Sequence, residues 1–177
     1  MKERTILIIK PDGVEKGLEK EIISRIKEAD LKIIATKKIK ASEEQIARLY
    51  PQTQEQLVGM GNKSLKSYEE AGLDPIAQLG TGNPFLIGKM IRIWNIEYLT
   101  RGEIITLLLE GEDAISKTRT LVGDTIPLKA AAGTIRGDFS TDSALKANSE
   151  KRAIRNVVHA TTSRQAYEFE EKIWFPS

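Results

Sequence analysis

His159 is the one histidine of the chain, and the chain has no cysteine. It follows Val157-Val158 and precedes Ala160-Thr161-Thr162-Ser163, so it sits where an apolar, strand-like segment gives way to a helix start. A neutral imidazole is a nucleophile and a proton carrier near pH 7. The free N–H groups of a helix start favour a negatively charged ligand such as phosphate. A histidine that merely fills a strand–helix junction is the competing reading of the same spacing. Glu170 stands eleven residues further on, beside Glu168 and Glu171. A carboxylate that accepts the N–H of one ring nitrogen fixes the tautomer and leaves the other nitrogen free. A solvated glutamate on a helix face does neither, and exposed glutamates are common.

Three cations are placed to meet phosphate. Lys10 ends the first apolar run at Pro11-Asp12-Gly13, Arg119 falls in the helix after the third strand, and Arg136 lies within Gly133-Thr134-Ile135-Arg136-Gly137-Asp138-Phe139. Arginine holds phosphate bidentately and lysine holds it as a point charge, although each of these residues alone reads equally as a solvated surface cation. Gly82 to Lys89 has the look of a phosphate-binding loop. However, five residues separate Gly82 from Gly88 where that motif has four, and Met90 stands where a Mg²⁺-holding Ser or Thr belongs. No G-x-G-x-x-G follows a strand, so the phosphate chemistry rests on the dispersed cations.

Composition closes off other classes. With 27 Lys+Arg against 25 Asp+Glu the net charge is +2, which argues against bulk nucleic-acid binding. The lack of cysteine removes disulfide frameworks, thiolate nucleophiles and cysteine-ligated zinc, and one histidine cannot build a histidine-rich metal site. No apolar run approaches the ~20 residues that span a membrane. Met1-Lys2-Glu3-Arg4 leads directly into a strand-like segment without a signal-peptide pattern, so a cytoplasmic location is expected. The 177 residues suit one domain, taken as 1–177.

The elements that must position these residues follow from pattern. Ile6-Leu7-Ile8-Ile9 reads as a buried strand ending in a Lys10-Pro11-Asp12-Gly13 turn. Ile22, Ile23, Ile26 and Ala29 have helical spacing over Glu19 to about Ala29, and Leu31 to about Ile39 reads as a second strand. Ser42 with Gln45 makes a capping box for a short helix ending near Tyr50-Pro51. The stretch 51–88 holds six glycines, Pro75, Pro84 and a weak helical signal around Lys63 to Ala71, and reads as an inserted excursion. Ile91 to Leu99 is helical, with Ile91, Trp94 and Tyr98 facing inward. Ile104 to Leu109 is the third strand, and Asp113 starts a helix carrying Ala114, Ile115, Thr118, Leu121 and Val122. Gly133 to Phe139 reads as a strand or extended segment, Ser140 to Arg152 as a loop, and Ile154 to Val158 as a short strand. Thr162 with Gln165 reads as the cap of a final helix. This order predicts an α/β (α+β) chain with a ferredoxin-like βαββαβ sandwich, an antiparallel sheet covered by helices.

Five segments, in collinear order, resemble the nucleoside diphosphate kinase family. Ile9-Lys10-Pro11-Asp12-Gly13-Val14 resembles its K-P-D-G-V, and Leu121-Val122-Gly123-Asp124-Thr125 its L-x-G-x-T. Gly133 to Phe139 resembles its G-T-I-R-G-D-F, Asn156 to Ala160 its N-x-x-H-[GA], and Glu170 to Phe175 its C-terminal ending. The likeness covers 3 to about 50 and about 90 to 175, leaving insertions at about 51–88 and 141–151. It implies ping-pong transfer of a γ-phosphate from a nucleoside triphosphate, ATP among them, to a nucleoside diphosphate through a phosphohistidine. By that resemblance His159 attacks through Nδ1, and Glu170 holds Nε2. Lys10, Arg119, Thr125 and Arg136 bind the phosphates with Mg²⁺ bridging them, Asn156 and Lys10 contact the ribose, and Tyr50 supplies an orienting hydroxyl. It also implies a homo-oligomer, tetramer or hexamer. The chain departs from the family pattern at Ala160-Thr161-Thr162, where Gly-Ser-Asp is common, and at Ala132, where the family has proline. The family's base-stacking aromatic has no single counterpart, with Phe85, Ile91 and Trp94 all near the insertion. Those departures motivate the alternative of a catalytically weak nucleotide-binding or regulatory module.

Overall fold

The computed structural model describes residues 2–50 and 53–176. Its sheet has four strands, β1 (Lys2–Ile9), β2 (Lys32–Ile39), β3 (Ile104–Glu112) and β4 (Val158–Ala160), in the order β2-β3-β1-β4. Every pairing is antiparallel, and β2 slips its register against β3 between Ile33 and Ala35. This is the ferredoxin-like sandwich the element order predicts.

The continuous apolar runs of β1 and β3 arise because both faces of the sheet are covered. On one face Leu7, Ile9, Leu107 and Leu109 pack against Ile22 and Ile26 of α2 (Glu19–Glu28) and Val122 of α7 (Ala114–Val122). On the other, Ile6, Ile8 and Leu108 meet Ile46 of α3 (Glu43–Leu49), Ile96 and Leu99 of α6 (Pro84–Thr100), and Ile173 and Trp174 of α10 (Arg164–Trp174). Ser42 caps α3 with the expected reciprocal box to Gln45.

Several local expectations are corrected. Lys10-Pro11-Asp12-Gly13 does not form a simple turn. Pro11–Glu15 is a short helix, α1, with proline in its first turn where a missing N–H costs nothing. The excursion after Tyr50 is largely helical: α4 (Gln54–Ala71) runs 18 residues, followed by α5 (Pro75–Leu79) and the start of α6. Thr53 and Gln56 cap α4 reciprocally, and Gly72 ends it in the left-handed conformation. Pro51, the first residue of the expected excursion, lies outside the described residues. Its glycines depress helix propensity yet serve packing. A Cβ at Gly61 would meet the Pro84 carbonyl at 1.9 Å, and one at Gly88 the Leu57 carbonyl at 2.0 Å, so these two positions let α4 and α6 cross in contact.

Ile135–Phe139 is the helix α8, capped by Thr134, and not an extended segment. The segment read as a loop from Ser140 holds α9 (Ala144–Ser149), capped by Ser143. The last strand begins later than its β-branched run suggests, at Val158, so His159 is within it. Ser163, not Thr162, caps α10, through a bond from the Ala166 N–H.

Candidate active site

The C-terminal end of β1, the N-terminal approach to β4, and helices α3, α7 and α8 converge on one cleft of about 1390 Å³. Lys10, Tyr50, Arg119, Thr125, Arg136, Asn156 and His159 all line it. Glu170 lies behind His159 and is buried, with 6% of its surface exposed. The eight residues singled out in the sequence are therefore in one neighbourhood, although they come from six separate stretches of chain.

β4 holds His159 opposite Ile8, with its side chain partly open to the cleft. Nε2 lies 3.2 Å from both carboxylate oxygens of Glu170. An ionised carboxylate only accepts hydrogen bonds, so this geometry selects the Nε2–H tautomer and leaves the Nδ1 lone pair. Among the described residues none is hydrogen-bonded to Nδ1. Glu170 is itself held: the buried Thr161 hydroxyl lies 2.8 Å from its Oε2 and 3.1 Å from the Ile6 carbonyl. Thr161, standing where the family commonly has serine, thus reaches the histidine's partner.

Lys10 is buried at 5% exposure and donates from Nζ to Asn156 Oδ1 at 2.6 Å. Asn156 in turn donates to the Thr125 carbonyl at 2.9 Å, so one amide ties the lysine to the loop after α7. Burial, with a smaller contribution from the Arg136 charge, pushes the Lys10 ammonium down to about 7, while Asp12 opposes the shift. Arg136, 8% exposed, donates to the Gly123 carbonyl at 2.8 Å and to the Val158 carbonyl at 2.9 Å. Its Nε is buried without a partner among the described residues. Burial lowers the Arg136 guanidinium to about 10, against the pull of Asp124 and Tyr50, with Arg119 adding to the lowering. Arg119 reaches from α7 toward the Thr162 carbonyl at 3.5 Å, and Thr125 is exposed. Burial raises the Tyr50 phenol above its ordinary value, Arg136 opposes this and Glu170 adds to it; the hydroxyl stays protonated and able to donate.

This cluster concentrates positive charge with no carboxylate in a salt bridge to Lys10, Arg119 or Arg136 among the described residues. Lys10 and Arg136 are buried and Arg119 is exposed. Hydrogen bonds to neutral oxygens offset only part of the cost of burying the first two, and a bound polyanion would offset more. A nucleophilic nitrogen beside an unpaired cationic pocket is the combination phosphoryl transfer needs.

The sequence reading missed the far wall of the cleft. Gln56, Met60 and Lys63 of α4, with Asn148 of the second insertion and Arg152 just after it, line it. Their one legible signal was the Thr53-Gln54-Glu55-Gln56 capping pattern, which announces α4 but not its direction. Of the three aromatic-site candidates, Ile91 lines the cleft, while Phe85 and Trp94 do not. Tyr50 is the one aromatic among the described lining residues. Asp12 and Tyr98 also carried no functional role from sequence, the first reading only as a turn residue and the second only as an inward-facing helix position.

The family model described as nucleoside diphosphate kinase matches residues 3–60 and 92–177, leaving 61–91 between its two matched segments. A nucleoside diphosphate kinase from Pyrobaculum aerophilum is 47% identical over 173 residues, covering 98% of this chain and 94% of that one. The crystal structure of an NDP kinase from the same organism superposes with a TM-score of 0.93 at 46% identity, over 99% of this chain and 96% of the other. A Borrelia burgdorferi nucleoside-diphosphate kinase, solved as a transition-state mimic with vanadate and ADP, gives a TM-score of 0.77 at 29% identity, over 98% and 87% of the two chains.

Proposed function

The chain belongs to the nucleoside diphosphate kinase family, and on that premise we infer how its own residues carry the γ-phosphate from a nucleoside triphosphate to a nucleoside diphosphate. The observation that carries the inference is the His159–Glu170 pair, which commits Nε2 to the carboxylate and leaves Nδ1 to the cleft.

In the first half-reaction the Nδ1 lone pair forms a bond to the γ-phosphorus as the bond to the β–γ bridging oxygen breaks. The nucleoside diphosphate leaves with that electron pair. The ring now carries positive charge, which the Glu170 carboxylate balances through Nε2–H. In the second half an oxygen of the acceptor's terminal phosphate attacks the same phosphorus and the N–P bond breaks, returning neutral His159. Little covalent work falls to the protein, whose task is positioning and charge neutralisation. Lys10, Arg119 and Arg136 supply the cations, with the Tyr50 and Thr125 hydroxyls as donors. Asn156, bonded to Lys10, reads the sugar hydroxyls together with it in this proposal.

The donor set fits magnesium carried by the substrate. Asp124 is one carboxylate on the cleft wall beside three cations, and Mg²⁺ is commonly held by substrate phosphates, water and one or two carboxylates. Asp124, with the substrate's own phosphates, would hold the ion, which would draw off developing charge. We also propose that the segments 51–88 and 141–151 are insertions in one domain and that the chain forms a homo-oligomer, tetramer or hexamer. The outer edge of β2 is unpaired among the described residues, and Leu128 is 67% exposed, both of which supply surface for assembly. A cytoplasmic location matches the use of nucleotide pools; no helix among the described residues is long and apolar enough to cross a membrane.

The test is phosphate exchange. ATP and dTDP are expected to yield dTTP in the presence of Mg²⁺, with turnover lost in His159→Ala. Nucleotide binding without turnover in the parent protein would overturn the assignment in favour of a binding or regulatory module. Light scattering after size exclusion tests the assembly, and a monomer at working concentration would refute it.

A further inference from the structure

Val157 has a φ of 69°. A β-branched residue rarely adopts this left-handed backbone, which is strained and persists only where the surroundings hold it. The Val158 N–H donates back to the Asn156 carbonyl at 2.7 Å, so residues 156–158 close a three-residue turn with a positive φ at its centre, the strained form of the γ-turn. The turn sits two residues before the histidine, and both of its peptide groups are engaged. The Val157 carbonyl accepts the Lys10 N–H at 2.8 Å, and the Val157 N–H donates to the Asp12 Oδ2 at 3.1 Å. Asp12 is buried at 4% exposure, and its other oxygen accepts the Tyr98 hydroxyl. Tyr98 is buried as well, and its ring lies 5.7 Å from Lys10 Nζ.

Three active-site groups hang from this turn. Asn156 holds Lys10 and the Thr125 carbonyl, the Val158 carbonyl receives Arg136, and His159 follows at the carboxylate of Glu170. Relaxing Val157 to a negative φ would rotate the chain on one side of it relative to the other, and these groups would lose their common alignment. We propose that Asp12, oriented by the Tyr98 hydroxyl, is a positioning residue for phosphoryl transfer: its carboxylate fixes the left-handed turn at Val157 and thereby aims His159. The proposal rests on His159 being the phosphorylated residue.

The experiment measures single-turnover phosphorylation of His159 from γ-³²P-labelled ATP in the full-length parent, D12A, D12A/V157G and Y98F. Glycine adopts a positive φ freely, so the double variant removes the need for the restraint. D12A is expected to phosphorylate at least tenfold more slowly, with Y98F losing less, and D12A/V157G is expected to recover at least half of that loss on a logarithmic scale. Imidazole ¹⁵N shifts of the single histidine give a second readout: one Nε2–H tautomer in the parent and in D12A/V157G, a mixture in D12A. D12A at the parent rate would overturn the proposal. So would a slow D12A that V157G does not restore, since Asp12 would then act through the Lys10 charge or through general stability. Should D12A fail to fold, D12N and D12N/V157G carry the same comparison. A parent protein that takes no label on His159 would instead overturn the phosphotransfer reading itself.

Discussion

Lys10 must change its charge state when a nucleotide arrives. In the free protein burial and the Arg136 charge hold its ammonium down to about 7, so at pH 8 about one molecule in eleven carries the proton. A polyphosphate beside the nitrogen favours the charged form and returns it toward the ordinary lysine value of about 10.4. Binding at pH 8 then takes up about 0.9 proton per site, and at pH 6, where about ten in eleven are already charged, only about 0.1. The sign follows from linkage: binding that consumes a proton weakens as pH rises, by up to about tenfold in Kd per pH unit above pH 7. The assay is titration calorimetry of ADP binding in buffers of different ionisation enthalpy, on the parent and on Lys10→Arg. Arginine stays charged throughout this range, so the variant is expected to lose the uptake. Titration of the nucleotide itself contributes to both proteins and cancels in their difference. Equal uptake at pH 8 in parent and Lys10→Arg would refute the reasoning.

Glu170→Gln leaves a side chain of the same shape that no longer carries the balancing charge. Single-turnover phosphorylation is expected to slow ten- to hundredfold, about 1.4–2.7 kcal/mol in the barrier, with ADP affinity within about threefold of the parent. Gly61→Ala places a methyl where the Pro84 carbonyl would lie 1.9 Å away, so calorimetric unfolding should show a loss of about 1–3 kcal/mol, read as a lower Tm. Gly59→Ala, on the same helix with open space around its Cβ position, should instead raise stability by about 0.5–1 kcal/mol. Because Tyr50 is the one aromatic among the described cleft residues, the spread of kcat/KM across purine and pyrimidine diphosphates is expected to stay below roughly a hundredfold, on the order of 3 kcal/mol. A wider spread would mean that the α4 wall reads the base.

The sheet was legible because β1 and β3 are buried on both faces and so read as unbroken runs of Ile and Leu. The helix over Glu19–Glu28 and the Ser42–Gln45 cap were equally plain, since each rests on local periodicity or local hydrogen bonding. Helix α4 was obscured by Gly59 and Gly61, and the reason for Gly61 is a long-range contact with Pro84 that no local pattern contains. α1, α8 and α9 are five or six residues long, too short for periodicity to separate them from turns. Within the site, motif resemblance supplied roles, while the fold supplied the juxtapositions. Spacing alone does not distinguish Glu170 from its neighbours Glu168 and Glu171; burial and the Thr161 hydroxyl do. The left-handed Val157 carries no sequence signal, because valine is among the residues least suited to that backbone.

The most direct measurement of the central claim is the position of the phosphate on the enzyme. The parent protein, mixed with labelled ATP and freed of nucleotide, is expected to carry an acid-labile, base-stable phosphate. Its ³¹P–¹⁵N couplings should place that phosphate on Nδ1 of His159, with Nε2 still protonated toward Glu170. A phosphate on Nε2, or label retained in His159→Ala, would contradict the account.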